Sequence, residues 1–153
     1  MTQTDIERKQ LILINYIQSY INETATNKWL VKAEYSTNDN DNRVIVIQET
    51  QGRKDVFFGD CSPLFNYYMF DIYGLSIQEN KNLSLLIGNL IGKDVYVDTT
   101  YTDENNNTYN EKWQIMFKQF SNPQALEYLD IRRVGYNATM QCVINKVFSQ
   151  QQN

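Results

Sequence analysis

The sequence contains no histidine among its 153 residues. Without histidine, a Ser-His-Asp or Cys-His catalytic pair, a histidine metal site and the usual proton carrier near neutral pH are all excluded. The phosphate-binding loop, the dinucleotide-binding G-x-G-x-x-G pattern and the G-x-S-x-G nucleophile turn are absent too. We therefore predict that the chain is not an enzyme and that it holds no cofactor.

Cysteine is also scarce. The two cysteines, Cys61 and Cys142, stand far apart, and no C-x-x-C pair exists. Zinc sites and dithiol redox sites use closely spaced cysteines, so neither kind of site is predicted. Cys142 lies in an alternating apolar pattern, which indicates a free, buried thiol that behaves as a small apolar side chain. Free thiols are typical of proteins that fold in a reducing cell interior.

Long hydrophobic runs are missing as well. No stretch reaches the roughly 18 apolar residues that indicate a membrane-spanning helix, and the first residues lack the basic-then-apolar pattern of a secretory leader. The chain has 14 Lys and Arg against 18 Asp and Glu, which gives a net charge of −4. The missing apolar run predicts that the chain has no membrane partner. Because wrapping nucleic acid needs clustered Lys and Arg, we also predict no sequence-specific nucleic-acid partner.

Apolar and aromatic residues, by contrast, are plentiful. The sequence is 42% hydrophobic and includes eleven Tyr and seven Phe, which is typical of a globular protein. Its length fits one domain over 1–153. Most of the aromatic side chains are expected to fill strands, although Tyr also suits protein interfaces. The polar residues 149–153 are predicted to form a frayed tail.

Two segments carry helix signals. Residues 4–7 and 76–79 both have the capping-box form that starts a helix, and the first helix is predicted to end near Asn22. In the second helix, Gly92 is placed to terminate the helix, and Gly88 indicates close packing against a strand. Apolar residues at helical spacing mark the face of the second helix: Leu83, Leu86, Ile87, Leu90 and Ile91.

Strand patterns occupy most of the remaining sequence. Segments 29–35 and 44–47 are predicted to form a hairpin around the polar loop 37–42. The other predicted strands are 65–73, 94–102, 112–120 and 134–144, with a hairpin loop at 103–108. Because strands follow one another in groups instead of alternating with helices, we predict an α+β fold. It is a mostly antiparallel sheet with two main helices on one face and projecting hairpin loops.

Two polar loops match part of a calcium-binding pattern. Asp103, Asn105 and Asn107 match the first three ligands of an EF-hand loop, but Thr108 replaces the required Gly and Gln114 the bidentate Glu. The loop 39–43 has Arg at its fifth position, so turn chemistry explains both loops better. No spacing singles out a catalytic pair among the carboxylates Asp60, Asp71, Asp98 and Glu111.

The order of these patterns resembles a known family. WLVKAEY and RVIVIQET are followed by FNYYMFDIYGLSIQENKNLSLLIGNLI, and then by NPQALEYLDIRRVGYNATMQCVIN with its RRVGY stretch at 132–136. This arrangement resembles the tail terminator and minor capsid (head–tail joining) proteins of tailed phages that infect Gram-positive bacteria. It spans about residues 5–147, and it consists of elements in a shared order, not of a catalytic motif.

The resemblance implies a structural protein of the virion that folds in the host cytoplasm. Its partners would be itself, as a hexameric ring, the tail tube protein, the head-completion or connector protein, and DNA passing through the lumen without specific binding. By position, the loops and the arginine pair are predicted to form interfaces: Asp39, Asp41, Asn42, Arg43, Asp103, Glu104, Asn105, Arg132 and Arg133. Two alternatives stay open, a head-completion or stopper connector protein and a non-catalytic domain that binds a small ligand with its Tyr-rich strands.

Overall fold

The computed structural model describes residues 3–36, 42–50, 65–121, 124–130 and 133–152. The elements follow the order α1 (Gln3–Thr24), β1 (Leu30–Lys32), β2 (Val44–Glu49), β3 (Asn66–Tyr73), α2 (Ile77–Gly88), β4 (Asp94–Thr102), β5 (Thr108–Phe120), β6 (Gln124–Asp130) and β7 (Arg133–Gln151). Six strands form a mostly antiparallel, curled sheet of half-barrel shape in the order β1-β2-β3-β7-β5-β4, and β6 pairs with the first part of β7. The predicted α+β fold class is confirmed.

One face of the sheet, here called the inner face, carries the main core. Successive side chains of a strand point to opposite faces, and Ile45, Phe70 and Ile115 are among those that point inward and are fully buried. The two helices cover this face, with the Tyr16 ring of α1 lying 5.8 Å from the Phe117 ring of β5. The helical residues in the same cluster are Ile12, Leu13, Ile14, Ile17 and Ile21 of α1 and Leu83 and Ile87 of α2.

The helix starts differ from each other. Ser76 caps α2, because its Oγ accepts from the Glu79 N–H at 3.1 Å, as the capping box predicts. The Glu79 carboxylate reaches back to the N–H of Leu75, at 2.7 Å. The prediction that the capping box at residues 4–7 starts the first helix was wrong, because α1 already includes Gln3 and Thr4 therefore lies inside the helix.

Glycines at the end of α2 have different roles from each other. Gly92 was predicted to terminate α2, and that prediction was wrong, because α2 ends at Gly88 with Asn89 as its C-cap. Gly92 instead lies in the turn that leads to β4, with a φ of +85° that favours glycine. Gly88 was predicted to permit close packing. That prediction was wrong, because a Cβ at this position would meet no atom within 4 Å. Gly88 is the last residue of α2 and no contact requires it.

Replacing Gly88 with alanine should therefore stabilise the protein. Alanine has the higher helix propensity and restricts the unfolded chain, and the expected gain in the free energy of unfolding is about 0.5–1 kcal/mol. Urea denaturation followed by circular dichroism measures it. A loss of stability would show that the space around Gly88 is filled.

The first predicted hairpin is not present, because β1 and β2 run parallel, with Leu30 opposite Val44 and Lys32 opposite Val46. A hairpin joins antiparallel strands, so the segments 29–35 and 44–47 do not form one; the central part of the loop predicted between them, residues 37–41, lies outside the described residues. Alternation of apolar and polar residues is the same whichever way a strand runs, and the pattern could not settle the direction.

The last strand is longer than the sequence indicates. β7 pairs on one side with β3 and on the other with β5 and then β6, and its pairing with β5 extends to Gln151 opposite Tyr109. Residues 149–151, predicted as part of a frayed tail, are therefore strand residues, and the Gln152 N–H donates to the Thr108 carbonyl at 2.8 Å. The sequence patterns did not predict strand β6. The predicted hairpin of 94–102 and 112–120 is present as β4–β5.

Candidate interaction site

The predicted interface residues fall into three groups. Asp39, Asp41 and Arg132 lie outside the described residues, and Arg133 is the first residue of β7, with its backbone opposite Asp130 of β6. Asn42 and Arg43 lie just before β2, whereas Asp103, Glu104 and Asn105 lie at the tip of the β4–β5 hairpin. The members of the set that the structure describes therefore do not form one surface.

Arg43 is already engaged within the chain. Its guanidinium pairs with the Glu79 carboxylate, which also accepts from Asn27 Nδ2 at 3.1 Å. Partial burial alone would raise the pKa of Glu79, but the hydrogen bonds from Leu75 and Arg43 outweigh it, and the pKa lies below its usual value. Arg43 thereby joins the start of β2 to the first turn of α2, a structural role that is independent of any partner.

The hairpin tip is shaped by Asp103. Its Oδ1 accepts from the N–H groups of Asn105 and Asn107, both at 2.9 Å, and its Oδ2 from the Tyr109 hydroxyl at 3.3 Å. These hydrogen bonds, led by the one from Asn107, lower the pKa of Asp103. Asn106 supplies the turn with a φ of +62°. Turn formation therefore accounts for the Asp103 carboxylate, which matches the first ligand of a calcium loop in the sequence.

The strands at the two ends of the strand order, β1 and β4, differ in whether their outward backbone groups are covered. At the β1 edge, the side-chain amide of Gln18 on α1 donates to the Trp29 carbonyl and accepts from the Val31 N–H, both at 2.9 Å. Gln18 thereby occupies the backbone groups that another strand would use. Covering an edge in this way prevents unwanted strand pairing.

The opposite edge, β4, has no such cover in the part of the chain that the structure describes. At the hairpin end the Asp103 N–H donates to the Asn107 carbonyl, and hydrogen-bonded pairs alternate along an antiparallel ladder. The odd-numbered residues of β4 therefore bond to β5. The backbone N–H and C=O groups that point away from the sheet belong to Asp94, Tyr96, Asp98, Thr100 and Thr102.

These outward groups are open to a further strand. Among the described residues, the one contact to them is the Thr99 hydroxyl, 3.5 Å from the Thr100 carbonyl. β4 contains neither lysine nor proline, and its pairing with β5 shows no bulge. Of the common devices that blunt an edge, it has only the charged side chains of Asp94 and Asp98. A groove of about 370 Å³ runs beside it and is lined by Asn15 and Ser19 of α1 together with residues 96–99.

The sheet face beside this edge exposes apolar side chains. We call β4, β5 and residues 143–151 of β7 the arm, and the face of the arm opposite the core its outer face. Tyr96 is 60% exposed, Phe148 is 50% and Val147 is 48% exposed. A cleft of about 920 Å³ lies there, with Asp98, Lys112 and Phe148 in its lining. Exposed aromatic side chains beside polar groups are typical of protein interfaces.

The inner face of the arm is held to α1 by a buried ionic cluster. Glu111, only 3% exposed, pairs with Arg8 of α1, and Lys146 Nζ lies 3.5 Å from its other oxygen. The Trp113 indole N–H donates to the same carboxylate at 3.3 Å. The Arg8 guanidinium lies 3.7 Å from the centre of the Tyr101 ring, a favourable cation–π contact. This cluster sets the position of the arm relative to the body.

The carboxylates considered for catalysis are separated. Asp71 accepts from Asn137 Nδ2 at 2.6 Å on the face of the sheet opposite the main core, and burial raises its pKa, whereas Glu111 lies on the inner face. Asp98 is exposed and lies 3.9 Å from Lys112 Nζ, and Asp60 is outside the described residues. Within the described ranges, no group of three or more His, Cys, Asp or Glu could hold a metal ion.

Two further predictions concern Cys142 and the tyrosines. Cys142 is a free, fully buried cysteine, as predicted, and burial raises the pKa of its thiol to about 12. Tyr68 and Tyr73 are packed among other buried side chains, and the Tyr67 hydroxyl accepts from Gln141 Nε2 at 3.4 Å. The tyrosines of β3 therefore serve packing, and the large aromatic side chains that are exposed in the described ranges, Tyr96 and Phe148, lie on the arm.

Comparisons with known proteins found no matching family model, no matching curated protein and no matching solved structure. Among the described residues, neither helix has the length and apolar character that crossing a bilayer requires.

Proposed function

We propose that this chain is a structural virion protein, a tail terminator. It assembles as a hexameric ring on the end of the tail tube, stops tube polymerisation and offers a surface to the head-completion or connector protein. The observation that carries the proposal is the arm, which combines an uncovered nine-residue edge strand with exposed Tyr96, Val147 and Phe148. Such a surface mates with other protein chains.

The charge of the chain is consistent with this role. DNA moves through the ring in the proposed function, and a lumen rich in Lys and Arg would retain it by releasing its counterions. The net charge of −4 gives no such attraction. The proposed location is the tail end at the head–tail junction, after folding in the host cytoplasm, and the order of sequence elements described above supports this choice over other assemblies.

Tube length tests the proposal directly. The tube-forming protein of the same virion is polymerised with and without this chain, and tube lengths are measured by electron microscopy. We expect shorter tubes, each ending in a ring of six copies of the 18.0 kDa chain. A head-completion protein would leave the length distribution unchanged, and that result would contradict the proposal.

A matched pair of variants tests the role of the arm in capping. Phe148→Ser removes an exposed apolar side chain from the outer face of the arm, whereas Leu11→Ser removes one from α1 that is 56% exposed. Both substitutions should leave the fold intact, since surface changes usually alter stability by about 0.5 kcal/mol or less. We expect Phe148→Ser alone to restore long tubes. Equal capping by the two variants would place the contact elsewhere.

A further inference from the structure

The open groups of β4 define the chemistry of what can bind there. Five residues present outward N–H and C=O groups, spaced two apart along a strand whose pairing with β5 is regular. Only another extended backbone offers donors and acceptors at the same repeat. The groove of about 370 Å³ between β4 and α1 leaves room for its side chains on the inner side. The ligand of this edge is therefore a β-strand.

The covered β1 edge indicates that the strand pairing with β4 is the β4 strand of a second copy of this chain. Gln18 covers the β1 edge, so among the described strands β1 cannot extend the sheet further. If β4 pairs with β4 of a second copy about a two-fold axis, both β4 edges are used at once, and along the strand order from β1 to β4 each end of the joined sheet is a covered β1. A foreign strand would itself present a new edge. Isologous pairing is also the commonest way in which soluble proteins close an assembly.

The sequence of β4 suits one antiparallel register with itself. When Thr99 faces Thr99 of the second copy, Val97 lies opposite Tyr101 and Asp98 opposite Thr100. Thr–Thr and aromatic–β-branched pairs are favourable across strands, and like charges directly opposite are not. Moving the axis by one residue, to Asp98, would place two carboxylates face to face. The register centred on Thr99 avoids that repulsion and joins outward groups to outward groups.

We propose that the free chain forms a two-fold dimer by antiparallel pairing of β4 with β4 of a second copy, centred on Thr99. The dimer does not depend on the virion role proposed above. It covers the edge while the chain is free in solution, where an open strand of nine residues is a site of aggregation. Any ring contact through the same edge requires the dimer to separate first.

Cysteine crosslinking tests the pairing and its register together. In a Cys61→Ser background, Thr99→Cys places two thiols opposite each other, and we expect an intermolecular disulfide under mild oxidation. Tyr96→Cys is the matched control, because in this register Tyr96 faces Thr102 and the two Tyr96 positions lie far apart. Crosslinking of both variants to the same extent, or of neither, overturns the proposal.

A proline variant provides an independent measurement. Thr100→Pro removes an outward N–H and leaves the hydrogen bonds from β4 to β5 in place, a position where an edge strand tolerates proline. By light scattering we expect the unmodified protein at twice 18.0 kDa and Thr100→Pro, with an unchanged circular dichroism spectrum, at the monomer mass. An unmodified protein that is monomeric or hexameric overturns the dimer. Tube capping would still be measurable in that case, so failure of the dimer is distinguishable from failure of the terminator role.

Discussion

Replacing Glu111 with glutamine is expected to lower the free energy of unfolding by about 3–5 kcal/mol, the usual cost of removing one partner from a buried ion pair. The carboxylate is 3% exposed and has Arg8, Lys146 and the Trp113 N–H as partners. Glutamine keeps the shape but leaves Arg8, whose side chain is 15% exposed, without its counter-charge. Lys146 can turn to solvent, so the loss comes mainly from Arg8.

Asp98→Asn is the matched control for this change. It removes one member of the exposed pair with Lys112, whose atoms are 3.9 Å apart, and exposed ion pairs contribute about 0–1 kcal/mol. Urea denaturation at low and high salt compares the two variants. If Glu111→Gln costs no more than Asp98→Asn, the cluster does not hold the arm to α1.

Replacing Gly74 with alanine is expected to destabilise the protein by about 1–3 kcal/mol, the usual cost of overpacking a core. A Cβ on Gly74 would lie 2.5 Å from Asn80 Oδ1 and 2.9 Å from the Trp29 ring. Neither neighbour can retreat easily, because Trp29 is 2% exposed and Asn80 is fully buried. The Asn80 oxygen also accepts from the Gly74 N–H at 2.5 Å, and moving it would weaken that bond.

Gly88→Ala provides the contrast for Gly74→Ala, since a Cβ at Gly88 meets open space. The two substitutions add the same methyl group. The difference between their effects on the free energy of unfolding therefore reports local packing and helix propensity. Thermal and urea denaturation should show opposite signs for the two variants. A neutral Gly74→Ala would mean that α2 can shift away from Trp29.

The sequence predicts those elements whose signals are local. β3, α2 and the β4–β5 hairpin each carry a capping residue, a turn or a periodic pattern within their own span, and all three are present. The direction of β1 relative to β2 depends on the path of the chain between them, which the alternation of apolar and polar residues does not indicate. The polar residues 149–151 form a strand because β5 lies beside them, a contact between segments about 40 residues apart.

The candidate site was less accessible to sequence reasoning. Its turn residues identify the hairpin tip in the sequence. Arg43, predicted as an interface residue, instead pairs with Glu79 of α2. Gln18 has no sequence signal, since its role depends on α1 lying against β1. Phe148 follows a bulge in the pairing of β7 with β5, and that irregularity alters which side chains reach the outer face. Edge exposure follows from the strand order, which no local pattern contains.

Amide hydrogen exchange, measured residue by residue at low and high protein concentration, tests most directly whether β4 is the edge through which this protein associates. The outward N–H groups of Tyr96, Asp98 and Thr100 should exchange quickly in dilute solution and become protected as the concentration rises. The Val31 N–H, which Gln18 already covers, should be protected equally at both concentrations. Fast exchange of the three β4 amides at every concentration, in a sample that scattering shows to be associated, would contradict the claim.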